Sequence, residues 1–176
     1  MTTANRITIF RILLVPVFLL LEYAGQPYIA FALFVIASLT DLLDGYIARH
    51  YNQITVFGKF MDPLADKMLV LAAMCYLIEA GCMPGWAVAI VIFREFAVSG
   101  LRLIAVQKGT VIAAGWSGKI KTAVTMLCLC VMLFFLANAS SRLNALCTAL
   151  IVLTTVYSGF EYFQKNAHMM KEENEN

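Results

Sequence analysis

The sequence predicts an all-α integral membrane protein of six transmembrane helices, with both termini on the cytoplasmic side. Three observations predict it. Hydrophobic residues make up 61% of the 176 and charged residues only 14%, against roughly 25% charged in ordinary globular domains. The apolar residues gather in six runs, each near the roughly 20 residues that a bilayer-spanning helix needs. The basic residues fall almost entirely on one side of those runs.

The six runs cover residues 7–23, 28–48, 61–80, 86–106, 116–137 and 143–163. Between them lie "YAGQP", "ARHYNQITVFG", "AGCMPG", "QKGTVIAAG" and "NASSR". Gly and Pro punctuate most of these breaks, as helix ends require. The chain reads as one membrane domain, 1–176, with no internal repeat and a solvated tail from about residue 168 that ends in "KEENEN".

An even number of spans puts both termini on one side. That side collects Arg6, Arg11, Arg49, Lys59, Lys67, Arg94, Arg102, Lys108, Lys119, Lys121, Lys165 and Lys171, while the other side has Arg142 alone. The positive-inside rule makes the rich side cytoplasmic. The first run could imitate a signal peptide, but no small-x-small cleavage site follows it. Cys75, Cys82, Cys128, Cys130 and Cys147 show neither CxxC nor Cys/His spacing. They suggest neither a disulfide framework nor a zinc site. His50 and His168 have no metal-ligand spacing, and Trp86 and Trp116 suit membrane interfaces.

Against this background the acidic residues stand out. Of 11 in the chain, Asp41, Asp44, Asp62 and Asp66 lie close together beside apolar segments. Asp41 and Asp44 are spaced i, i+3 and share a helix face, with Gly45 and Ala48 on the same stripe and Arg49 slightly to one side. Asp62 and Asp66 are spaced i, i+4, and Gly58 joins their face if the helix starts early enough. Asp62 before Pro63 also reads as an N-cap and first-turn pair. Any one of the four could simply cap a helix or meet solvent. Together they would be costly, at about 2.5–3.5 kcal/mol for each aspartate at mid-membrane depth. Arg49 and Lys67 offset part of that charge. Carboxylate clusters are natural sites for hard divalent cations such as Mg²⁺ or Mn²⁺, and two such ions would balance four carboxylates. A two-metal site serves phosphoryl chemistry and binds the diphosphate of a nucleotide-activated substrate. No Walker-type loop and no strand-associated GxGxxG is present.

The stretch "DLLDGYIARHYNQITVFGKFMDPLADK" resembles the signature of the CDP-alcohol phosphotransferases, D-x2-D-G-x2-A-R-x8-G-x3-D-x3-D. Asp41, Asp44, Gly45, Ala48, Arg49, Gly58, Asp62 and Asp66 fill every fixed position. The resemblance implies that the four aspartates surround two divalent cations. It implies that Asp66 is also the general base toward the acceptor hydroxyl. Gly45, Ala48 and Gly58 would admit the cytidine nucleotide, and Arg49 would help hold it. It further implies a multi-pass enzyme of the cytoplasmic membrane, usually a homodimer, whose site opens to the cytoplasm. Such an enzyme releases CMP from a CDP-linked donor. Membrane lipids surround it and no nucleic-acid partner is expected.

The signature does not fix the acceptor alcohol. "NRITIFR" resembles the opening of many bacterial members, and "REFAVSGLR" and "GKIKT" resemble the phosphatidylglycerophosphate synthase branch. That branch implies CDP-diacylglycerol as donor and sn-glycerol 3-phosphate as acceptor. The acceptor is a dianion that needs cations, and Arg94, Arg102, Lys119 and Lys121 are the candidates. Arg94 and Arg102 are about 80° apart on the fourth helix, and arginine suits phosphate recognition. Lys119 and Lys121 diverge by about 200° on a regular helix, so at most one faces the site. Basic residues at cytoplasmic helix ends, Lys119 and Lys121 among them, could instead serve as orientation signals or headgroup contacts, a reading that Arg94 resists because it sits deepest in an apolar run. Glu95, seven residues from Arg102, is a candidate partner for it. Asn5 and Thr8 suit capping of the first helix. Two acceptor alternatives stay open. Inositol phosphate needs the same cations, whereas serine would leave Arg94 and Arg102 superfluous. A divalent-cation transporter would also explain intramembrane carboxylates. It would not explain the Gly45, Ala48 and Gly58 spacing, and the inverted repeat of many transporters is missing.

Overall fold

The computed structural model describes residues 3–50, 56–107, 115–135 and 141–166, and within them the side chains of 9–40, 67–105, 115–135 and 141–166. The described residues form six α-helices: α1 (Thr3–Tyr23), α2 (Pro27–His50), α3 (Val56–Glu79), α4 (Gly85–Gln107), α5 (Trp116–Phe134) and α6 (Ser141–Asn166). Each apolar run has become one helix. Among the described residues, α5 and α6 are long and apolar enough to cross a membrane.

The breaks work as their residues require. At the end of α1, Gly25 N–H bonds the Glu22 carbonyl (3.1 Å) and Gln26 N–H bonds the Leu21 carbonyl (3.0 Å). Gly25 has φ +72°, the left-handed conformation that this Schellman closure needs. The end of α3 repeats the device. Gly81 (φ +69°) bonds the Ile78 carbonyl and Cys82 bonds that of Leu77. Pro27 opens α2, where its missing N–H costs nothing.

One expected boundary moves. α3 starts at Val56, well before the expected residue 61, so Asp62 is inside the helix and does not cap it. Pro63 lies within the helix as well. Membrane-type helices tolerate such prolines because neighbouring groups re-satisfy the freed backbone. Pro16 inside α1 is a second case.

The chain divides into two compact units. The first holds α1–α3 and the end of α5 from Cys130. Here α1 packs against both α2 and α3, and α2 touches α3. Its core includes Phe18, Ala30, Phe34, Ala37, Leu69, Ala73, Met74 and Leu77, all buried. Phe18 of α1 meets Phe34 of α2 with ring centroids 5.9 Å apart. At the end marked by the two glycine turns, Tyr23 stacks edge-on against Tyr76 (5.8 Å) and donates a hydrogen bond to Glu79.

The second unit holds α4, α5 up to Leu129, and α6. α6 buries a stripe of Asn144, Cys147, Thr148, Ile151, Thr155, Ser158, Gly159 and Tyr162, whose spacing follows the helical repeat. α4 packs on α6, with Val98, Leu101 and Tyr162 forming a small core that Phe163 borders. The opposite side of α4 exposes Phe93 (75%) and Phe96 (69%). Exposed phenylalanines beside a buried charged residue are the reverse of a soluble helix and suit a lipid-facing surface.

Candidate active site

The signature residues sit on α2 and α3. α2 continues to His50, so Asp41, Asp44, Gly45, Ala48 and Arg49 are all helical. The early start of α3 puts Gly58, Asp62 and Asp66 on one helix at i, i+4, i+8, hence on one face. Residues 51–55 join the two helices, so both pairs belong to the same end of the first unit. Asp41 and Asp66 each lie roughly 14 Å into their helix from that end, at 1.5 Å per residue. The side chains of Asp41, Asp44, Gly45, Ala48, Arg49, Gly58, Asp62 and Asp66 lie outside the described residues. As a donor set, four carboxylates on two touching antiparallel helices fit hard divalent cations.

The second unit carries the basic candidates. Arg94 of α4 and Lys121 of α5 meet at one carboxylate, that of Glu95. Glu95 Oε1 accepts from Lys121 Nζ at 2.6 Å and from Arg94 Nη1 at 3.0 Å. The Arg94 and Lys121 side chains are only 12% and 7% exposed. Two glycines make room for Arg94. A Cβ on Gly159 of α6 would stand 3.2 Å from Arg94 Cγ, and one on Gly118 of α5 would stand 3.6 Å from Arg94 Nη2. The arginine therefore lies along a channel of small residues, its head held by Glu95.

Arg102 goes elsewhere. Its Nε donates to the Tyr162 hydroxyl at 3.2 Å, and its guanidinium lies 5.6 Å from the centre of that ring. Lys119 and Lys121 diverge as two residues on a helix must. Lys121 is buried on Glu95, while Lys119 is exposed with its ammonium 4.9 Å from the Trp116 ring centre. The structure thus gathers Arg94 and Lys121 around one anion and gives Arg102 and Lys119 separate aromatic partners. Gly159 and Tyr162 were not singled out from the sequence. A glycine and a tyrosine late in an apolar helix carry no local signal, and only packing against α4 reveals their use.

The family model for CDP-alcohol phosphatidyltransferase matches residues 1–157. The chain belongs to the CDP-alcohol phosphatidyltransferase family. It is similar to a Bacillus subtilis (strain 168) protein named CDP-diacylglycerol–glycerol-3-phosphate 3-phosphatidyltransferase, 44% identical over 97% of both chains. Proteins of the same name from Haemophilus influenzae and Escherichia coli K12 are 36% and 39% identical. The first match covers 90% of this chain and 89% of the relative; the second covers 73% and 74%. The CDP-alcohol phosphatidyltransferase match includes the signature, Arg94, Arg102 and both lysines. It ends before Gly159 and Tyr162, the α6 residues that seat the two arginines.

Proposed function

We propose that the protein transfers the phosphatidyl group of CDP-diacylglycerol to sn-glycerol 3-phosphate, giving phosphatidylglycerophosphate and CMP. The observation that carries this reading is the complete eight-position signature laid out on two touching helices of one unit. The buried Arg94–Glu95–Lys121 group supports a phosphorylated acceptor over serine, because a dianion needs cations held ready for it. The relatives' names point to the same pair of substrates.

In this reading all six helices span the cytoplasmic membrane, both termini are cytoplasmic, and the site opens to the cytoplasm in a homodimer. The donor's acyl chains stay in lipid beside surfaces such as that of Phe93 and Phe96. Asp41, Asp44, Asp62 and Asp66 would hold two Mg²⁺ or Mn²⁺ ions, which would supply charge neutralisation at the diphosphate. Gly45, Ala48 and Gly58 let the nucleotide approach the helices, with Arg49 on its phosphate side. Arg94 and Lys121 orient the acceptor phosphate, with Arg102 and Lys119 as outer cations. Asp66 takes the proton of the glycerol 1-hydroxyl as that oxygen attacks the phosphorus bearing diacylglycerol. The phosphorus–oxygen bond to CMP breaks, and CMP departs with the electron pair.

The test is CMP release by detergent-purified protein with CDP-diacylglycerol, Mg²⁺ or Mn²⁺, and one acceptor at a time. Metal-dependent release with glycerol 3-phosphate alone is the expected result. Release with inositol phosphate or serine would overturn the acceptor assignment. No release with any acceptor would overturn the donor, and metal-dependent cation flux in vesicles would then favour transport.

Gly159 gives a narrower prediction. Gly159→Val forces Arg94 off its seat, since even a Cβ there is tight against Arg94 Cγ. Overpacking of this kind costs about 1–3 kcal/mol. The KM for glycerol 3-phosphate is expected to rise because Arg94 is displaced, while the KM for CDP-diacylglycerol stays unchanged. Initial rates at varied acceptor concentration check it.

A further inference from the structure

Arg94 Nε, Thr125 Oγ1 and Thr155 Oγ1 are buried polar atoms of the second unit that make no hydrogen bond among the described residues. The two hydroxyls depart from the pattern of their neighbours. Thr122 and Thr154 each return the hydroxyl to a carbonyl of their own helix, at 3.0 and 2.8 Å, and Ser158 does so at 3.1 Å. Thr125 and Thr155 do not, although they are 2% and 0% exposed. A hydroxyl shut away from water without a partner costs free energy that such a back-bond would recover. Kept open instead, it can serve a ligand.

Contacts between α5 and α6 place these hydroxyls. Ser117 of α5 hydrogen-bonds Glu161 of α6, and Cys128 of α5 meets Cys147 of α6 thiol to thiol. The two helices are therefore antiparallel. Four residues on from Ser117 is Lys121, and four back from Glu161 is residue 157. Seven back from Cys128 is Lys121 again, and seven on from Cys147 is residue 154. Lys121 is thus level with residues 154–157, and of those only Thr155 is buried. A third contact agrees. Gly159, where a Cβ would stand 3.2 Å from Arg94 Cγ, is one turn from Thr155 on the same face of α6. Thr125 is one turn from Lys121 on the same face of α5. Arg94 and Lys121, which meet at Glu95, therefore have two open hydroxyls beside them.

We propose that Thr155 is a specificity-determining residue of the acceptor site: its hydroxyl hydrogen-bonds the secondary hydroxyl of a phosphorylated polyol whose phosphate lies on Arg94 and Lys121. This rests on the acceptor reading given above and narrows it. In glycerol 3-phosphate the secondary hydroxyl sits on the carbon next to the phosphorylated one. Cations that hold the phosphate and a threonine beside them can therefore read both groups at once. A threonine hydroxyl can donate or accept, so it suits a ligand hydroxyl. The primary hydroxyl stays free to attack. An analogue without the secondary hydroxyl leaves Thr155 unpaired in the complex, which is how a buried polar group rejects it.

The test is calorimetric binding, without donor, of glycerol 3-phosphate and of 3-hydroxypropyl phosphate, which lacks the secondary hydroxyl, to detergent-purified protein. Wild type is expected to prefer glycerol 3-phosphate about tenfold, the scale of one buried hydrogen bond. Thr155→Val, of nearly the same shape, is expected to bind the two alike, and Thr155→Ser to keep the preference. Thr148→Val is the control, because Thr148 is buried with an unpaired hydroxyl two turns further along α6. It is expected to keep the preference. Thr155→Val is also expected to melt no lower than wild type without ligand, since the hydroxyl it removes has no partner. Equal affinities in the wild type would overturn the proposal, as would no binding of either phosphate. So would a preference that survives Thr155→Val or is lost in Thr155→Ser or Thr148→Val, and so would a Thr155→Val protein that melts lower or fails to fold. A wild type that shows the preference yet releases no CMP sinks the proposed reaction and leaves Thr155 standing. One that releases CMP with glycerol 3-phosphate, and whose preference survives Thr155→Val, sinks the Thr155 role alone.

Discussion

Asp41→Asn and Asp62→Asn are each expected to abolish CMP release while the protein still inserts, folds and survives purification. Asparagine keeps the size of the side chain and loses its charge. The neutral amide is a much weaker ligand for a hard divalent ion, so each change removes one anionic donor from a set of four. A metal that neutralises a phosphoryl oxygen contributes several kcal/mol to the transition state. Losing about 4 kcal/mol corresponds to roughly a thousandfold in rate. Folding is expected to hold or improve, because four clustered carboxylates repel one another when no metal is present. The check pairs a rate assay at saturating Mg²⁺ with size-exclusion and melting profiles. Near wild-type turnover in either variant would remove the metal assignment. Asp66→Asn is the companion case. A lost general base costs about 10²–10⁴-fold in rate, so kcat should fall further than nucleotide affinity does. Equal losses in both would make Asp66 a metal ligand only.

The sequence shows the spacing of these aspartates directly, because spacing is a local property. Residues three or four apart on a helix share a face whatever surrounds them, and α2 and α3 supply the helices. The same holds for the divergence of Lys119 and Lys121. The helices were legible because each long apolar run, ended by Gly or Pro, closes into one helix. The start of α3 was not. Asp62–Pro63 looks like a cap in water-soluble terms, yet the helix already runs from Val56. Long-range partners were also out of reach. Glu95 suggested Arg102 by its place on the same helix, whereas the contacts of Arg102 described here are with Tyr162, and Glu95 draws Lys121 from α5. Such pairings depend on how α4, α5 and α6 pack, and no window of neighbouring residues encodes that.

Arg94→Met is expected to lower kcat/KM for glycerol 3-phosphate about a hundredfold while leaving the KM for CDP-diacylglycerol within twofold. Each hydrogen bond to a charged group contributes about 1.5–3 kcal/mol, and the lower bound for two such bonds already gives the hundredfold factor. The fold should survive, because Glu95 keeps Lys121 as a close partner at 2.6 Å. Glu95→Gln should behave in the opposite way. It leaves Arg94 and Lys121, both largely buried, facing each other without their shared anion. Breaking a buried pair costs about 3–5 kcal/mol when it strands a charge, a value to be reduced here because the Glu95 side chain keeps 20% exposure. Stability in detergent is therefore expected to drop more in Glu95→Gln than in Arg94→Met. Added glycerol 3-phosphate should restore part of that loss, since its dianion can take the place of the carboxylate. Melting curves with and without the acceptor, beside initial rates, separate the two roles. If Arg94→Met leaves the acceptor KM unchanged and Glu95→Gln gains nothing from the acceptor, the Arg94–Glu95–Lys121 group is a clamp between α4 and α5, and the acceptor phosphate must bind through other cations.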